Sequence, residues 1–150
     1  MTDLTIALRL LTAAFLSGLI GYERERHGRA AGLRTHILVA LGSCLTVVVS
    51  ESMQSHLLEF GAIVDTIRLD PTRLGAGVLA GIGFLGAGTI MRHRSSVKGL
   101  TTAATLWLVA NIGLAVGGGF LFSAIATTAI ALACLFLLAP FKHRNVSRHR

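Results

Sequence analysis

The sequence predicts an all-α polytopic membrane protein, a bundle of five transmembrane helices. Hydrophobic residues make up 53% of the 150 residues and charged residues only 14%, whereas charged residues are about a quarter of a typical soluble domain. Five apolar stretches approach the ~20 residues that a helix needs to cross about 30 Å of hydrocarbon. The basic residues, moreover, gather in alternate connections between these stretches.

The five predicted spans follow one another with short connections. They are residues 4–22, 35–53, 74–91, 100–116 and 121–141, with a tight glycine turn at residues 117–119. The first span is kept as a membrane helix rather than a cleaved signal, because no basic residue precedes it and the basic stretch ERERHGR follows it. Residues 1–141 thus form one transmembrane domain, and residues 142–150 a basic tail.

The distribution of basic residues predicts the orientation. Eleven of the 14 lysines and arginines lie after span one, after span three or in the tail, while Arg68 and Arg73 lie on the other side and Arg9 lies within span one. The positive-inside rule then places the N-terminus outside and the C-terminus in the cytoplasm of a bacterial inner membrane. This pattern explains the net charge of +7 without a nucleic-acid partner.

The third span contains GIGFLGAG, which matches the dinucleotide fingerprint G-x-G-x-x-G. That fingerprint requires a preceding strand and an acidic residue about 20 positions later, and neither is present here. Small residues four apart instead favour close helix packing. We expect this packing role for Gly77, Gly81, Gly83, Gly86 and Gly88. A helix broken into halves that point backbone groups at a ligand is the less favoured alternative.

Two further features concern helix packing in the fourth span. Gly113 and Gly117 repeat the four-residue spacing. Asn111 is a polar side chain within the span, and we expect it to hydrogen-bond to a neighbouring helix.

Charged residues are predicted at two levels. Arg9 lies about five residues inside span one, where a charge is costly unless it is paired or reaches the surface. Glu51, Asp70 and Arg73 fall at a similar height, so we expect an outer polar cluster in which Arg9 pairs with one of the acids. The inner level is an expected charged motif of Glu23, Arg24, Glu25 and Arg34. Its glutamates organise the loop arginines, or the loop simply rests on anionic lipid.

Several kinds of chemistry are not indicated. The six histidines show no metal-ligand spacing, and no nucleophile–base set or phosphate loop is present. We therefore expect no enzymatic activity, no metal site and no cofactor. Cation transport is harder to exclude, although the spans lack a deep acidic residue.

Four stretches resemble the membrane domain of the MgtC/SapB family: RLLTAAFLSGLIGYERE, AGLRTHILVALGS, DPTRLGAGVLAGIGFLGAGTI and VKGLTTAATLWLVANIGLAVGGG. The resemblance implies an inner-membrane protein of about five helices that supports growth in scarce magnesium and, in some members, virulence. It also implies a partner, the F-type ATP synthase, and a functional core of Arg9, Glu23, Arg24, Glu25, Arg34, Asp70, Arg73 and the glycines of residues 81–88. Many members continue into a cytoplasmic ACT-like domain, whereas this sequence stops at Arg150, so we expect a role in membrane homeostasis without that domain.

Two functions are therefore expected to compete. The first is a regulatory protein that acts by helix–helix contact with another membrane protein or with a second copy of itself. The second is a small magnesium or other cation transporter formed by an oligomer, with Glu51 and Asp70 at its mouth.

Overall fold

The computed structural model describes residues 1–59, 71–93 and 96–138, and within them the chain forms five helices and one β-hairpin. The helices are α1 (Asp3–Arg26), α2 (Leu33–Glu59), α3 (Pro71–Thr89), α4 (Leu100–Gly117) and α5 (Leu121–Leu137), and the strands are β1 (Met91–His93) and β2 (Ser96–Lys98). The five predicted helices are confirmed. The predicted basic tail, residues 142–150, lies outside the described residues.

Three of these helices are long and apolar enough to cross a membrane: Asp3–Arg26, Leu33–His56 and Leu100–Gly117. Two shorter apolar helices accompany them, Arg73–Thr89 and Leu121–Leu137. At 1.5 Å per residue a 17-residue helix is about 26 Å long, which is close to the thickness of the hydrocarbon core.

Helix α1 is longer than the predicted span because charged residues extend it beyond the apolar stretch. It begins at the N-cap Thr2, whose side chain accepts a hydrogen bond from the Thr5 backbone N–H. Arg24 and Arg26 lie in its last turn, where positive charge is favourable near the free carbonyls. Gly28 follows with φ of 61°, a conformation that ends the helix.

The β-hairpin corrects the all-α prediction. Met91 pairs with Lys98 and His93 with Ser96 in an antiparallel register. At its end, Gly99 has φ of 91°, and a Cβ there would lie 1.9 Å from the Thr89 carbonyl oxygen. Only glycine is compatible with this turn, which carries the chain directly into α4. Six strand residues in a short polar connection give too weak a periodicity to be predicted.

Helix α4 forms the centre of the bundle, because it packs against each of the other four helices. Half of its residues are buried. The main apolar core joins α1, α2 and α4 with a contribution from α5, and its buried members include Ala13, Ile20, Ala40, Val109 and Ile112. A smaller core lies between α3 and α4, around Ile82, Leu106 and Ala110.

Glycines bring α2 and α4 into close contact. A Cβ on Gly113 would lie 2.3 Å from the Ala40 carbonyl oxygen, and one on Gly117 would lie 2.7 Å from the Cys44 carbonyl oxygen. Real Cβ atoms do not approach oxygen so closely, so the two backbones are separated by no side chain here. Gly113 and Gly117 thus serve the packing role that their spacing predicts.

Candidate functional site

Arg9 lies at one end of the bundle and joins three helices. Its Nη1 donates a 2.8 Å hydrogen bond to Glu51 Oε2 on α2, and it also donates to the carbonyl oxygen of Gly117, the last residue of α4. A helix leaves its last carbonyls without intrahelical partners, and a cation there is favourable. We call Arg9, Glu51 and Gly117 the Arg9 cluster. It contains the acid pairing expected for Arg9, and it adds a capping contact that the sequence does not reveal.

The remainder of the expected outer cluster is not assembled in the described part of the chain. Asp70 lies outside the described residues. Arg73 is exposed near the start of α3 and makes no ion pair with a described residue. The side chains of the Arg9–Glu51 pair are 23% and 39% exposed, so the pair is half-buried.

The opposite end of the bundle holds a buried ion pair between sequence neighbours. Arg24 Nη2 donates to Glu23 Oε1 at 2.6 Å, and Arg24 Nε donates to the other carboxylate oxygen, which makes the pair bidentate. His27 Nδ1 lies 3.1 Å from Glu23 Oε1. The side chains of Glu23 and Arg24 are only 2% and 5% exposed. We call Glu23, Arg24 and His27 the Glu23 cluster. Its charges largely neutralise each other, as burial requires.

The other two members of the expected inner motif have different surroundings. Glu25 Oε2 accepts a 2.8 Å hydrogen bond from the backbone N–H of Leu33, the first residue of α2. It thus caps the next helix in the chain, a role that depends on the fold of the connection. A Cβ on Gly32 would lie 2.6 Å from the same oxygen. Arg34 is exposed and makes no ion pair with a described residue.

A buried histidine, His36, lies near the Glu23 cluster. His36 is 0% exposed; its Nδ1 hydrogen-bonds to the Gly32 carbonyl at 2.8 Å and its Nε2 to the Thr105 hydroxyl at 3.1 Å. Thr105 donates in turn to the Thr102 carbonyl. This chain of hydrogen bonds fixes α2 against the first turns of α4. The stretch AGLRTH carries no signal of it, since the partner lies 69 residues away.

The glycines of α3 divide into two groups. Gly86 packs on Ala103 of α4, with an added Cβ 3.5 Å from the Ala103 Cβ. A Cβ added to any of four others, Gly77, Gly81, Gly83 and Gly88, would meet no atom of the described chain within 4 Å. These four glycines therefore do not pack against another helix within the described part of the chain, and the expected packing role is not seen there.

Asn111 corrects a second packing expectation. Its Nδ2 donates to the Trp107 carbonyl at 2.9 Å, one turn back on the same helix. This local bond takes the place of the expected bond to a neighbouring helix, since an asparagine side chain within a helix can reach the carbonyl four residues earlier.

Two cavities open at the end of the bundle that carries the Glu23 cluster. One of about 220 Å³ is lined by Glu23, Arg24, His27 and Cys134, among others. The other, of about 400 Å³, lies between the α1–α2 connection, the hairpin and the start of α4, and its charged lining residues are Arg29 and Lys98. Among residues 1–59, 71–93 and 96–138, no three histidine, cysteine or acidic side chains group as a metal site would require.

A family model, described as the MgtC family, matches residues 10–144. The chain belongs to the MgtC family. The matched segment contains the Arg9 cluster except for Arg9 itself, the whole Glu23 cluster and the α3 glycines.

Curated relatives agree with this membership. The chain is 44% identical over 137 residues to "Protein MgtC" of Salmonella typhimurium, 39% over 144 residues to "Putative magnesium transporter YhiD" of Escherichia coli K12, and 37% over 149 residues to "Protein SapB" of Bacillus subtilis. These alignments cover 91%, 95% and 99% of this chain, but only 54%, 65% and 62% of the respective relatives. The chain thus spans between half and two thirds of their length. No solved structure matches it significantly.

Proposed function

We propose that this MgtC-family chain is a non-enzymatic regulatory protein of the bacterial inner membrane that acts by docking α3 against a membrane partner. The open face of α3 is the observation that supports this function. Gly77, Gly81 and Gly88 recur at helical spacing around Phe84, whose side chain is 81% exposed. Neither the glycines nor the phenylalanine has a packing role within the described chain.

Such a face suits another helix better than lipid. Lipid tails are as apolar as a helix surface, so helices associate in membranes mainly where small residues let their backbones approach closely. The neighbouring exposed positions Ala76, Ala80 and Ala87 are also small. A partner helix could therefore lie against α3 over about three turns, with Phe84 as the one large side chain to be accommodated.

The family resemblance suggests the partner and the setting. It implies the F-type ATP synthase as the first partner to test, with a second copy of this chain as the alternative, and a role in growth under magnesium limitation. The resemblance further implies a contribution to virulence.

A capture experiment tests the docking face. The tagged chain is solubilised from native membranes in mild detergent, and co-purifying ATP synthase subunits are quantified. Gly81→Leu and Gly83→Leu each place a bulky side chain on the open face, and Phe84→Ala removes the exposed ring; we expect each to reduce capture at least tenfold. Gly42→Leu is the matched control, because Gly42 is also helical, exposed and free of atoms within 4 Å.

Retained capture in all three α3 variants would refute the docking face. Loss of capture in Gly42→Leu as well would show that any leucine on the lipid-facing surface interferes, and would equally refute a specific role for α3.

We also propose an orientation with the N-terminus outside and the C-terminus in the cytoplasm, with all five helices spanning the membrane. Arg24, Arg26, Arg29 and Lys98 lie at one end of the bundle, in agreement with the positive-inside rule. Impermeant thiol labelling of Asp3→Cys and Arg150→Cys, each in a background without native cysteines, tests it. Asp3→Cys should label from outside in intact spheroplasts and Arg150→Cys only after lysis; labelling of both from one side would contradict the orientation.

Magnesium transport is the second candidate function, and the name of the YhiD relative favours it. The Glu51 side chain is 39% exposed, so its carboxylate could meet a cation, although it already pairs with Arg9. Proteoliposomes that contain only this chain, loaded with a magnesium-sensitive dye, provide the test. Uptake that disappears in the double variant Glu51→Gln, Asp70→Asn would favour transport over the docking function, and no uptake by the unaltered chain would exclude it.

A further inference from the structure

The 400 Å³ cavity at the Glu23 end of the bundle has an unusual lining. Arg29 from the α1–α2 connection and Lys98 from β2 both line it, together with Thr101 and Thr102 of α4. No carboxylate is among the described residues that line it. The cavity therefore presents positive charge and hydroxyl groups to whatever enters.

Helix α4 adds backbone donors to the same cavity. Its N-cap is Gly99, which supplies no side-chain hydrogen bond, and the first hydrogen bond to the N-cap carbonyl comes from the Ala103 N–H. The backbone N–H groups of residues 100–102 thus have no partner within the helix. In other helices a serine or aspartate at the N-cap accepts hydrogen bonds from such N–H groups. At the N-cap of α4 the positive φ of Gly99 and its close contact with Thr89 exclude any side chain.

Thr102 provides an independent indication of a ligand. This residue is only 4% exposed, and its hydroxyl makes no hydrogen bond to any residue in the described part of the chain, whereas Thr105 one turn later makes two. No completely buried side-chain oxygen or nitrogen among the described residues lacks a partner. The Thr102 hydroxyl oxygen therefore keeps some accessible surface, which we assign to the cavity that the residue lines.

The nearby acids do not neutralise the cavity. Glu23 is held by Arg24 and His27, and Glu25 accepts the N–H of the first residue of α2. Neither Arg29 nor Lys98 makes an ion pair with a described residue. Both cations thus remain available to an anion, at a helix N-terminus that attracts negative charge.

We propose that this cavity binds a phosphate group. Arg29 can contact two phosphate oxygens at once and Lys98 supplies a compact charge, while the N–H groups of α4 and the Thr102 hydroxyl supply neutral donors. Two sources carry this chemistry: the headgroup of an anionic phospholipid, and free phosphate. The site is separate from the α3 face and does not depend on the docking function.

Binding measurements with two probes distinguish the sources. The purified full chain is placed in nanodiscs of phosphatidylcholine with or without phosphatidylglycerol, and native mass spectrometry counts the phosphatidylglycerol molecules retained. In detergent, inorganic phosphate is titrated and followed by calorimetry. Retention of phosphatidylglycerol assigns the site to lipid, and binding of inorganic phosphate assigns it to a free anion; both results together show that the site accepts either.

Variants locate the binding. Lys98→Gln and Arg29→Gln should each weaken it by about tenfold or more, the loss typical of one hydrogen bond to a charged group, and the near-isosteric Thr102→Val by about threefold. The control is Arg26→Gln, which removes one positive charge at the same end; the Arg26 guanidinium lies 5.8 Å from the centre of the Tyr22 ring and does not line the cavity. Unchanged unfolding temperatures show that the variants remain folded.

Two results would overturn the proposal. One is failure of the unaltered chain to bind either probe. The other is binding by Lys98→Gln, Arg29→Gln and Thr102→Val that is no weaker than binding by Arg26→Gln, since the effect would then be one of net charge alone.

Discussion

Replacing Gly113 by alanine should destabilise the bundle, although alanine is the better helix former. The added Cβ would lie 2.3 Å from the Ala40 carbonyl oxygen and 2.9 Å from the Ser43 Cβ. The nearest of these atoms belongs to backbone, so the conflict is relieved only if α2 and α4 move apart. Gly77→Ala is the matched change, because a Cβ on Gly77 would meet nothing within 4 Å.

The two substitutions share a gain in helix propensity and differ in the cost of overpacking. Each gains up to about 1 kcal/mol of helix propensity. Overpacking a close-packed site costs about 1–3 kcal/mol, and a contact this short with backbone belongs at the upper end of that range. Gly113→Ala should thus lose about 2 kcal/mol net while Gly77→Ala gains up to about 1 kcal/mol. For a chain of this size the difference corresponds to roughly 6–12 °C in unfolding temperature.

The chain carries a suitable reporter of unfolding. Cys44 is 0% exposed and Cys134 is exposed, so in a Cys134→Ser background a thiol-reactive fluorescent dye reports only the exposure of Cys44 on heating. Gly113→Ala should unfold at the lower temperature and Gly77→Ala at or above that of the background protein. Equal unfolding temperatures for the two variants would refute the close approach of α2 and α4 at Gly113.

Three further predictions use the same thermal assay. Arg9→Met should destabilise the bundle more than Glu51→Gln, because the arginine also caps α4. A double-mutant cycle should give a coupling energy of only about 0.5–1 kcal/mol, since the pair is half-exposed. Additive effects of the two substitutions would show that the ion pair contributes nothing. Glu23→Gln should lower the free energy of unfolding by about 3–5 kcal/mol, because it leaves a buried arginine unpaired. Glu25→Gln keeps an oxygen for the N–H that it caps and should cost below about 1 kcal/mol. Similar losses in the two variants would contradict the difference in burial. Thr105→Val should cost about 1–3 kcal/mol of stability, because it deprives the buried histidine of α2 of its hydrogen-bond partner. Thr105→Ser keeps the hydroxyl and should be close to neutral. An equal loss of stability in the serine variant would show that the methyl group matters instead.

The sequence was sufficient for features that depend on local composition. Apolar runs of helix length predicted all five helices, because the thickness of the hydrocarbon core sets the number of apolar residues in a spanning helix. Counting residues along the spans also placed Arg9 and Glu51 at a similar depth, and in the structure the two side chains form an ion pair. The paired strands Met91–His93 and Ser96–Lys98 escaped prediction, since strands of three residues are too short to show a hydrophobic pattern.

Contacts between distant residues were predicted less well. The capping of α2 by Glu25 and the bonds of His36 to Gly32 and Thr105 depend on how the α1–α2 connection folds. Asn111 was assigned to a neighbouring helix, but a local carbonyl was within reach. In each case the residue type indicated that a hydrogen bond was needed, and only the fold determined which group provides it.

The sequence by itself determined that this chain has the helices of a membrane protein, the family to which it belongs, and the grouping of its basic residues. Only the tertiary structure decided the roles of its glycines. Gly113 and Gly117 have the same four-residue spacing as Gly77 and Gly81, yet the first pair lies against the backbone of α2 and the second faces open space. Spacing fixes which residues share a helical face, whereas the packing of the whole bundle fixes what that face meets.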